Sequence, residues 1–447
     1  MIENPFFHRG AIRDPAYFYN RKREVRRILE MLGKGQSVSV IGPRKIGKTS
    51  LLFQISRSEV LQQYGFDLAR CLLVYFNCEV LGRLKLEEFY ALILKEVAGP
   101  AAQMGCQIAD PGRPVSFLEF ESAFRKVSAR KLRLALLLDE FEVLGEHQAW
   151  GAELLSGLRA LATKFDVAYL TVSQRQLAAF TRQRSPFFNI FVPLKLGLFD
   201  TSESRELVEE SLAKVGAVFS PEVIDHILAL GGGHPYFLQV AGYWALELQA
   251  TKGVPLESED FHILDQTVRG QVDSHFEYYW RHLAPLEQYV LAALPLAQSE
   301  QMYREQLEAL VCQCLIVKEN GRYRCFSPLF RDFVHRQKVE NVLQAGPLTL
   351  ALTHRLVLLR EEPLLLSEKQ FDLLRYLMER QGQVVSNEEL DREVMVASSE
   401  EQQEYEYFDD ERLKSAIKWL RKALGDEADC IANRRGVGYT FQVQAGE

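Results

Sequence analysis

Residues Gly42-Pro43-Arg44-Lys45-Ile46-Gly47-Lys48-Thr49, followed by Ser50, set two glycines, a lysine and a hydroxyl at the spacing G-x-x-x-x-G-K-[ST]. That spacing suits a triphosphate. Glycines let backbone N–H groups converge on phosphate oxygens, and a helix that starts at the lysine adds the positive end of its dipole. Lys48 is expected to reach the β- and γ-phosphates, and the Thr49 hydroxyl to ligate Mg²⁺. A second chemical pair, Asp139-Glu140, stands where an apolar run ends. Asp139 would hold Mg²⁺ through water, and Glu140 would orient the attacking water, with Glu142 as a weaker substitute. The expected ligands are ATP or ADP with Mg²⁺.

Such groups need a parallel sheet to position them. Val38, Val40 and Ile41 form a β-branched run into the loop, and Leu51, Leu52 and Phe53 open an apolar helix behind it. Leu134–Leu138 is wholly apolar, as a strand buried on both faces must be. Cys71–Phe76 ends at Asn77, and Val167–Val172 ends at Ser173-Gln174-Arg175. The fold class is therefore α/β, with the polar residues gathered at the C-terminal edge of the sheet. Ser173 and Arg175 are placed to sense a γ-phosphate, Arg175 as a catalytic contributor, although a solvated loop fits them equally. Between 198 and 272 the pattern is helical, with Leu207, Val208, Leu212 and Val215 on one face and Pro221 opening a further helix. From 273 to 340 come a helix from Phe276, another near Arg304–Val311, and alternating strands around Asn320-Gly321, the signal of a hairpin. Helices followed by such a hairpin make a winged helix, here expected to be structural.

Phe18-Tyr19-Asn20-Arg21-Lys22-Arg23-Glu24-Val25, the Gly-Pro-Arg-Lys-Ile-Gly-Lys-Thr-Ser loop and Gly232-Gly233-His234-Pro235-Tyr236 together resemble the STAND class of AAA-related ATPases. The resemblance spans about residues 10–340. It implies a signal-transduction ATPase with a helical lid and a winged helix after the nucleotide domain. It also implies that Pro235 packs near the adenine and couples the lid to nucleotide state, and that Phe18 to Arg21 line the base pocket. Asn20 replaces the glycine usual in that stretch.

Gly346-Pro347 marks a break before a last module, 346–447. Leu348–Leu352 and Arg355–Leu359 alternate as strands. Ser367-x-x-Gln370 is a capping box opening a helix, and Ser386-x-x-Glu389 caps a shorter one. A third helix, about Asp410 to Leu424, places Leu413, Ile417, Leu420 and Leu424 on one stripe. Its other faces carry Arg412, Lys414, Lys418, Arg421 and Lys422, and a terminal hairpin adds Arg434 and Arg435. The module as a whole holds 13 Lys and Arg against 20 Asp and Glu, so this basic face is segregated within an acidic domain. Order and spacing resemble the OmpR/PhoB-type winged helix of bacterial response regulators over roughly a hundred residues. That resemblance implies DNA-facing positions at Arg412, Ser415, Lys418 and Arg421, a wing arginine at Arg435 for the minor groove, and a wing tyrosine at Tyr439 near phosphate. Trp419 stands where relatives often carry a base-reading arginine. The acidic loop Ser398–Asp410 corresponds to one that contacts RNA polymerase in relatives; a solvated insertion or a mask over the basic face fits it better here.

The expected domains are thus 1–197 (P-loop NTPase core), 198–272 (lid), 273–340 (winged helix) and 346–447 (DNA-binding winged helix). With 447 residues and a formal net charge of −7, no global basic field draws the chain to nucleic acid, and DNA binding must come from a local patch. The seven cysteines form no CxxC pair, the N-terminus lacks a signal-peptide layout, and no apolar run nears the ~20 residues that span a bilayer. This reads as a cytoplasmic chain. The leading function is an ATP-controlled DNA-binding regulator, with duplex DNA, an unidentified input protein and a nucleotide-dependent homo-oligomer as partners. A signalling ATPase working through protein alone, or an ATPase that remodels DNA complexes, are the alternatives.

Overall fold

The computed structural model describes residues 4–6, 10–81, 84–145, 150–174, 186–294, 303–337, 342–352, 355–360, 362–395 and 410–442. Five strands, β1 (Ser37–Ile41), β2 (Cys71–Asn77), β3 (Arg133–Asp139), β4 (Val167–Ser173) and β5 (Phe191–Lys195), make one sheet in the order β2-β3-β4-β1-β5. Every pairing is parallel. All five C-terminal ends therefore open on the same edge.

The central strand β3 is buried on both faces, which is why it is apolar at successive positions rather than alternating. Leu134, Leu136 and Leu138 face a core shared with Phe89, Phe120, Phe124 and Leu158. Ala135 and Leu137 face the opposite core, shared with helix α1 (Lys22–Gly33) and helix α2 (Lys48–Ile55) through Ile28, Leu32, Leu51 and Ile55. Each such buried leucine contributes about 1.5–3 kcal/mol. Because β3 is pinned from two sides, Asp139 at its tip is held with little freedom.

The helical segment begins as the spacing predicts, with Thr201–Val215 and Pro221–Gly231. Asp200 caps the first through a capping box with Glu203. Pro235 is the first residue of Pro235–Lys252, a position that needs no N–H. The helix expected from Phe276 starts fifteen residues earlier, as one continuous Phe261–Arg281 element. No proline interrupts that stretch, so the expected boundary at 272/273 falls inside a helix. By compactness the chain divides into Met1–Asp273 with Val311–Val317 and Phe326–Phe330, and Ser274–Leu310 with Lys318–Cys325 and Arg331–Glu447. The expected hairpin is present as β6 (Ile316–Glu319) and β7 (Arg322–Cys325), with Asn320 and Gly321 both at positive φ in its turn.

In the second unit, β8 (Val342–Ala345), β9 (Leu348–Ala351), β10 (Leu356–Leu359) and β11 (Glu362–Leu364) form an antiparallel meander. Gly346-Pro347 is the turn of its first hairpin, with Ala345 opposite Leu348. The C-terminal sheet thus starts at Val342, ahead of the expected break. Helices Glu368–Glu379, Asn387–Leu390 and Asp410–Leu424 follow, capped at Ser367 and Ser386 as their sequences require. The hairpin β13 (Ile431–Arg434) and β14 (Gly438–Phe441) pairs with β12 (Val384–Ser386). Among the described residues, no helix is long and apolar enough to cross a membrane.

Candidate functional site

The loop between β1 and α2 is shaped by its glycines. Gly47 sits at φ 101°, closed to residues with a Cβ, and a Cβ at Gly42 would come within 2.8 Å of the Leu196 carbonyl. Lys45 also takes a positive φ. The Lys48 ammonium is buried and donates to the carbonyls of Gly42 and Pro43, each at 2.9 Å. Burial pulls its pKa below the usual lysine range, opposed by the nearby Glu140, Glu142 and Asp139 carboxylates.

Asp139 is buried at the end of β3. Burial raises its carboxyl above the usual range, against hydrogen bonds from the Thr49 hydroxyl, the Glu140 N–H and the Tyr75 hydroxyl. The Glu140 N–H lies 3.1 Å away and the Tyr75 hydroxyl 3.3 Å. The two residues expected to hold Mg²⁺, Thr49 and Asp139, are therefore neighbours. Glu140 follows at positive φ, a strained setting that turns the chain sharply at the strand tip. Its carboxyl is pushed up, first by burial. Glu142 is pushed up to about 7, again by burial first. Its Oε1 accepts from the Gln174 N–H at 3.1 Å, while its buried Oε2 has no hydrogen-bond partner among the described residues. Ser173 ends β4 beside the loop and accepts from the Gly42 N–H through its carbonyl. Arg175 lies outside the described residues.

The chain ahead of α1 closes the other side of this region. Asn20 and Arg21 both adopt positive φ, and asparagine is the side chain that best tolerates this after glycine. That accounts for Asn20 in place of glycine. Asn20 donates to the Glu203 carbonyl at 2.7 Å. The Arg21 guanidinium is buried, donates to the Gly197 carbonyl at 2.6 Å, and lies 4.4 Å over the Phe199 ring. Phe199 in turn donates its N–H to the Gly233 carbonyl at 2.7 Å. Ser50 accepts from the Ile12 N–H at 2.9 Å. Arg44 is exposed, and Ile46 is fully buried in the core.

A link the sequence did not reveal joins the loop to the lid. The Lys45 ammonium sits 5.3 Å over the ring of Tyr236, directly after Pro235. Arg44 also faces Tyr236 electrostatically. The turn before Pro235 is packed tightly. A Cβ at Gly232 would overlap the Phe326 carbonyl, and one at Gly233 the Phe199 carbonyl, so both glycines are obligatory. Only the run of three glycines hinted at this close approach.

In the C-terminal unit, Leu413, Ile417, Leu420 and Leu424 are buried as predicted. Lys414, Ser415, Lys418 and Lys422 are exposed on helix Asp410–Leu424, and Arg434 and Arg435 on the hairpin. Three residues expected to face DNA are held by the protein itself. Arg412 donates to Asp391 at 2.7 Å and 3.0 Å, and that carboxylate is 0% exposed. Arg421 donates to the Ile431 carbonyl, tying helix to wing. Tyr439 is 6% exposed in the domain core, with Arg421 over its ring at 5.8 Å, so packing fixes it. Lys414 pairs with Asp410. Residues 396–409, most of the acidic loop, lie outside the described residues.

The family model described as Novel STAND NTPase 2 matches residues 28–293, and that described as Transcriptional regulatory protein, C terminal, matches residues 361–441. A Walker-type ATPase of Pyrococcus abyssi is 18% identical, with 74% of this chain and 99% of that one covered at a TM-score of 0.53. That likeness bears on fold alone. The transcriptional regulatory protein CrdR of Helicobacter pylori is 36% identical over 77 residues, 17% of this chain. The chain spans 31% of that relative's length. The DNA-binding domain of CpxR from E. coli is 28% identical, covering 23% of this chain and 98% of that domain at a TM-score of 0.20. One chain thus joins a P-loop NTPase domain to a response-regulator-type DNA-binding domain.

Proposed function

Because this chain belongs to the Novel STAND NTPase 2 family and ends in a response-regulator-type domain, we propose that it is an ATP-controlled DNA-binding regulator. The observation that carries this reading is the contact of Lys45, inside the phosphate loop, with Tyr236, beside the lid's Pro235. A cation that serves a phosphate tail and an aromatic ring responds to which of them is present. The lid therefore experiences the occupancy of the loop.

The residues present fit a magnesium nucleotide. The Lys48 ammonium is inside the loop, the Thr49 hydroxyl faces the Asp139 carboxylate, and a buried Glu142 oxygen has no hydrogen-bond partner among the described residues. When bound, Mg-ATP supplies a γ-phosphoryl group open to attack by water, with the metal neutralising its charge. Lys48 would exchange its carbonyl contacts for phosphate oxygens. Thr49 and Asp139 would hold the metal, directly and through water. Glu140 would orient the attacking water, and its strained backbone fixes its direction. Arg21, Phe199 and Gly233 form a continuous path from the base-pocket segment to the lid turn. Hydrolysis on this reading is slow and resets the switch.

At the far end, Lys418, Lys422, Arg434 and Arg435 supply the exposed cations for duplex DNA, with Ser415 among them. Coupling requires that each ligand bind the two states of the protein differently. The test is a titration of duplex DNA with the full chain in ATP, in ADP and without nucleotide. DNA affinity should differ between these conditions in the wild type and become equal in Lys48→Ala. Equal affinities in the wild type would remove nucleotide control. Input proteins, RNA polymerase and homo-oligomers are further proposed partners, each to be sought in the ATP-bound state.

A further inference from the structure

Helix α1 breaks two local rules of helix stability on its outer face. Lys22 and Arg23 occupy its first turn, where the helix dipole disfavours cations. Lys22 with Arg26, and Arg23 with Arg27, are like-charged pairs four residues apart, each destabilising by about 0.2–0.5 kcal/mol. Lys34 adds a fifth cation just past the end. At about 100° per residue these side chains share an arc of about 140°. All five are exposed. Among the described residues, no ion pair joins any of them to an acid, and Glu30 is the one carboxylate among them. They line a groove of about 540 Å³.

Five exposed cations crowded on one arc around a single carboxylate, none in an ion pair among the described residues, mark a functional surface. The partner's chemistry follows from what the groove lacks. Met31 is its one apolar lining residue, whereas a protein partner needs an apolar, aromatic-rich centre. Long cations repeating every four residues, about 6 Å along the axis, suit a polymer with closely spaced phosphates. We propose that the exposed face of α1 is a second, sequence-independent docking surface for duplex DNA, carried by the NTPase unit itself. This rests on the reading of the chain as a DNA-binding protein and adds a contact outside the C-terminal domain.

The experiment compares the full-length wild type with Arg23→Glu/Arg27→Glu and with Lys418→Ala/Arg435→Ala, on a random-sequence duplex, over a range of salt. Losing two phosphate contacts lowers the slope of log affinity against log salt by about 2. The Arg23→Glu/Arg27→Glu protein should show that change and bind at least about tenfold more weakly at moderate salt, with an unchanged melting temperature. An unchanged slope overturns the proposal, while loss of binding only in Lys418→Ala/Arg435→Ala keeps the C-terminal reading intact. Failure of the wild type to bind any duplex overturns both. Anionic phospholipid vesicles run in parallel complete the test. Weakened binding to vesicles alone, with duplex binding untouched, assigns the stripe to a lipid surface and overturns the DNA proposal.

Discussion

Glu142 offers a measurable consequence of crowding three carboxylates around one lysine. Its pKa rises from 4.5 to about 7, chiefly through burial. A carboxyl that binds its proton more tightly in the folded chain stabilises the fold fully below pH 4.5. That contribution is lost as pH climbs from 4.5 through 7, because the unfolded chain ionises first. Each pH unit across this interval is worth about 1.4 kcal/mol, so the full loss is about 3 kcal/mol. Glu142→Gln keeps the shape and the acceptor for Gln174 but removes the titration. Nucleotide-free urea melts at pH 5 and pH 8 should therefore show a wild type that weakens more than the variant, by about 2–3 kcal/mol. At pH 5 the two proteins should be close. If both lose stability in parallel between these pH values, Glu142 is ionised throughout and the reasoning about its burial is wrong.

Lys48→Ala removes the ammonium held inside the loop and should weaken Mg-ATP binding at least about a hundredfold by calorimetry, as loss of two charge-assisted hydrogen bonds implies. Gly233→Ala combines a positive φ with a Cβ overlapping the Phe199 carbonyl, and should cost about 2–4 kcal/mol in denaturant melts. Arg412→Ala deprives the buried Asp391 carboxylate of its guanidinium. The loss should be about 2–3 kcal/mol, less than for a wholly buried pair because Arg412 is itself partly exposed. Lys418→Ala, on an exposed side chain, should leave melting unchanged while it weakens DNA binding and its salt dependence.

The phosphate loop was legible because its chemistry dictates contiguous residues at fixed spacing, and one strand and one helix must flank it. Strands β2, β3 and β4 were readable for a related reason, since a strand buried on both faces is built mostly of apolar side chains. What local pattern could not supply were contacts across the fold. Nothing near Lys45 announces Tyr236, almost two hundred residues away, and nothing near Arg412 announces Asp391. Charge counting treated all five cations of the last long helix alike. The structure separates Arg412 and Arg421, which anchor that helix, from Lys418 and Lys422, which are exposed on its surface. Tyr439 shows the same limit: its residue type fits a phosphate contact, but its place in β14 turns the ring into the core. Two local features were also hidden: Gly346-Pro347 reads as a linker and is a hairpin turn, and no residue in the sequence signals that one helix, Phe261–Arg281, runs on through 272/273.

Trp419 carries a practical corollary. The chain has four tryptophans, and this one is 54% exposed on the helix proposed to face DNA, with the Lys422 ammonium 4.9 Å from its ring. Trp150 and Trp280 are buried and Trp244 is half-buried, which leaves Trp419 the most exposed of the four. The indole therefore acts as a native optical probe at the very surface in question. Acrylamide should quench it readily in the free protein, and a bound duplex should shield it, giving a label-free readout of engagement at each nucleotide state.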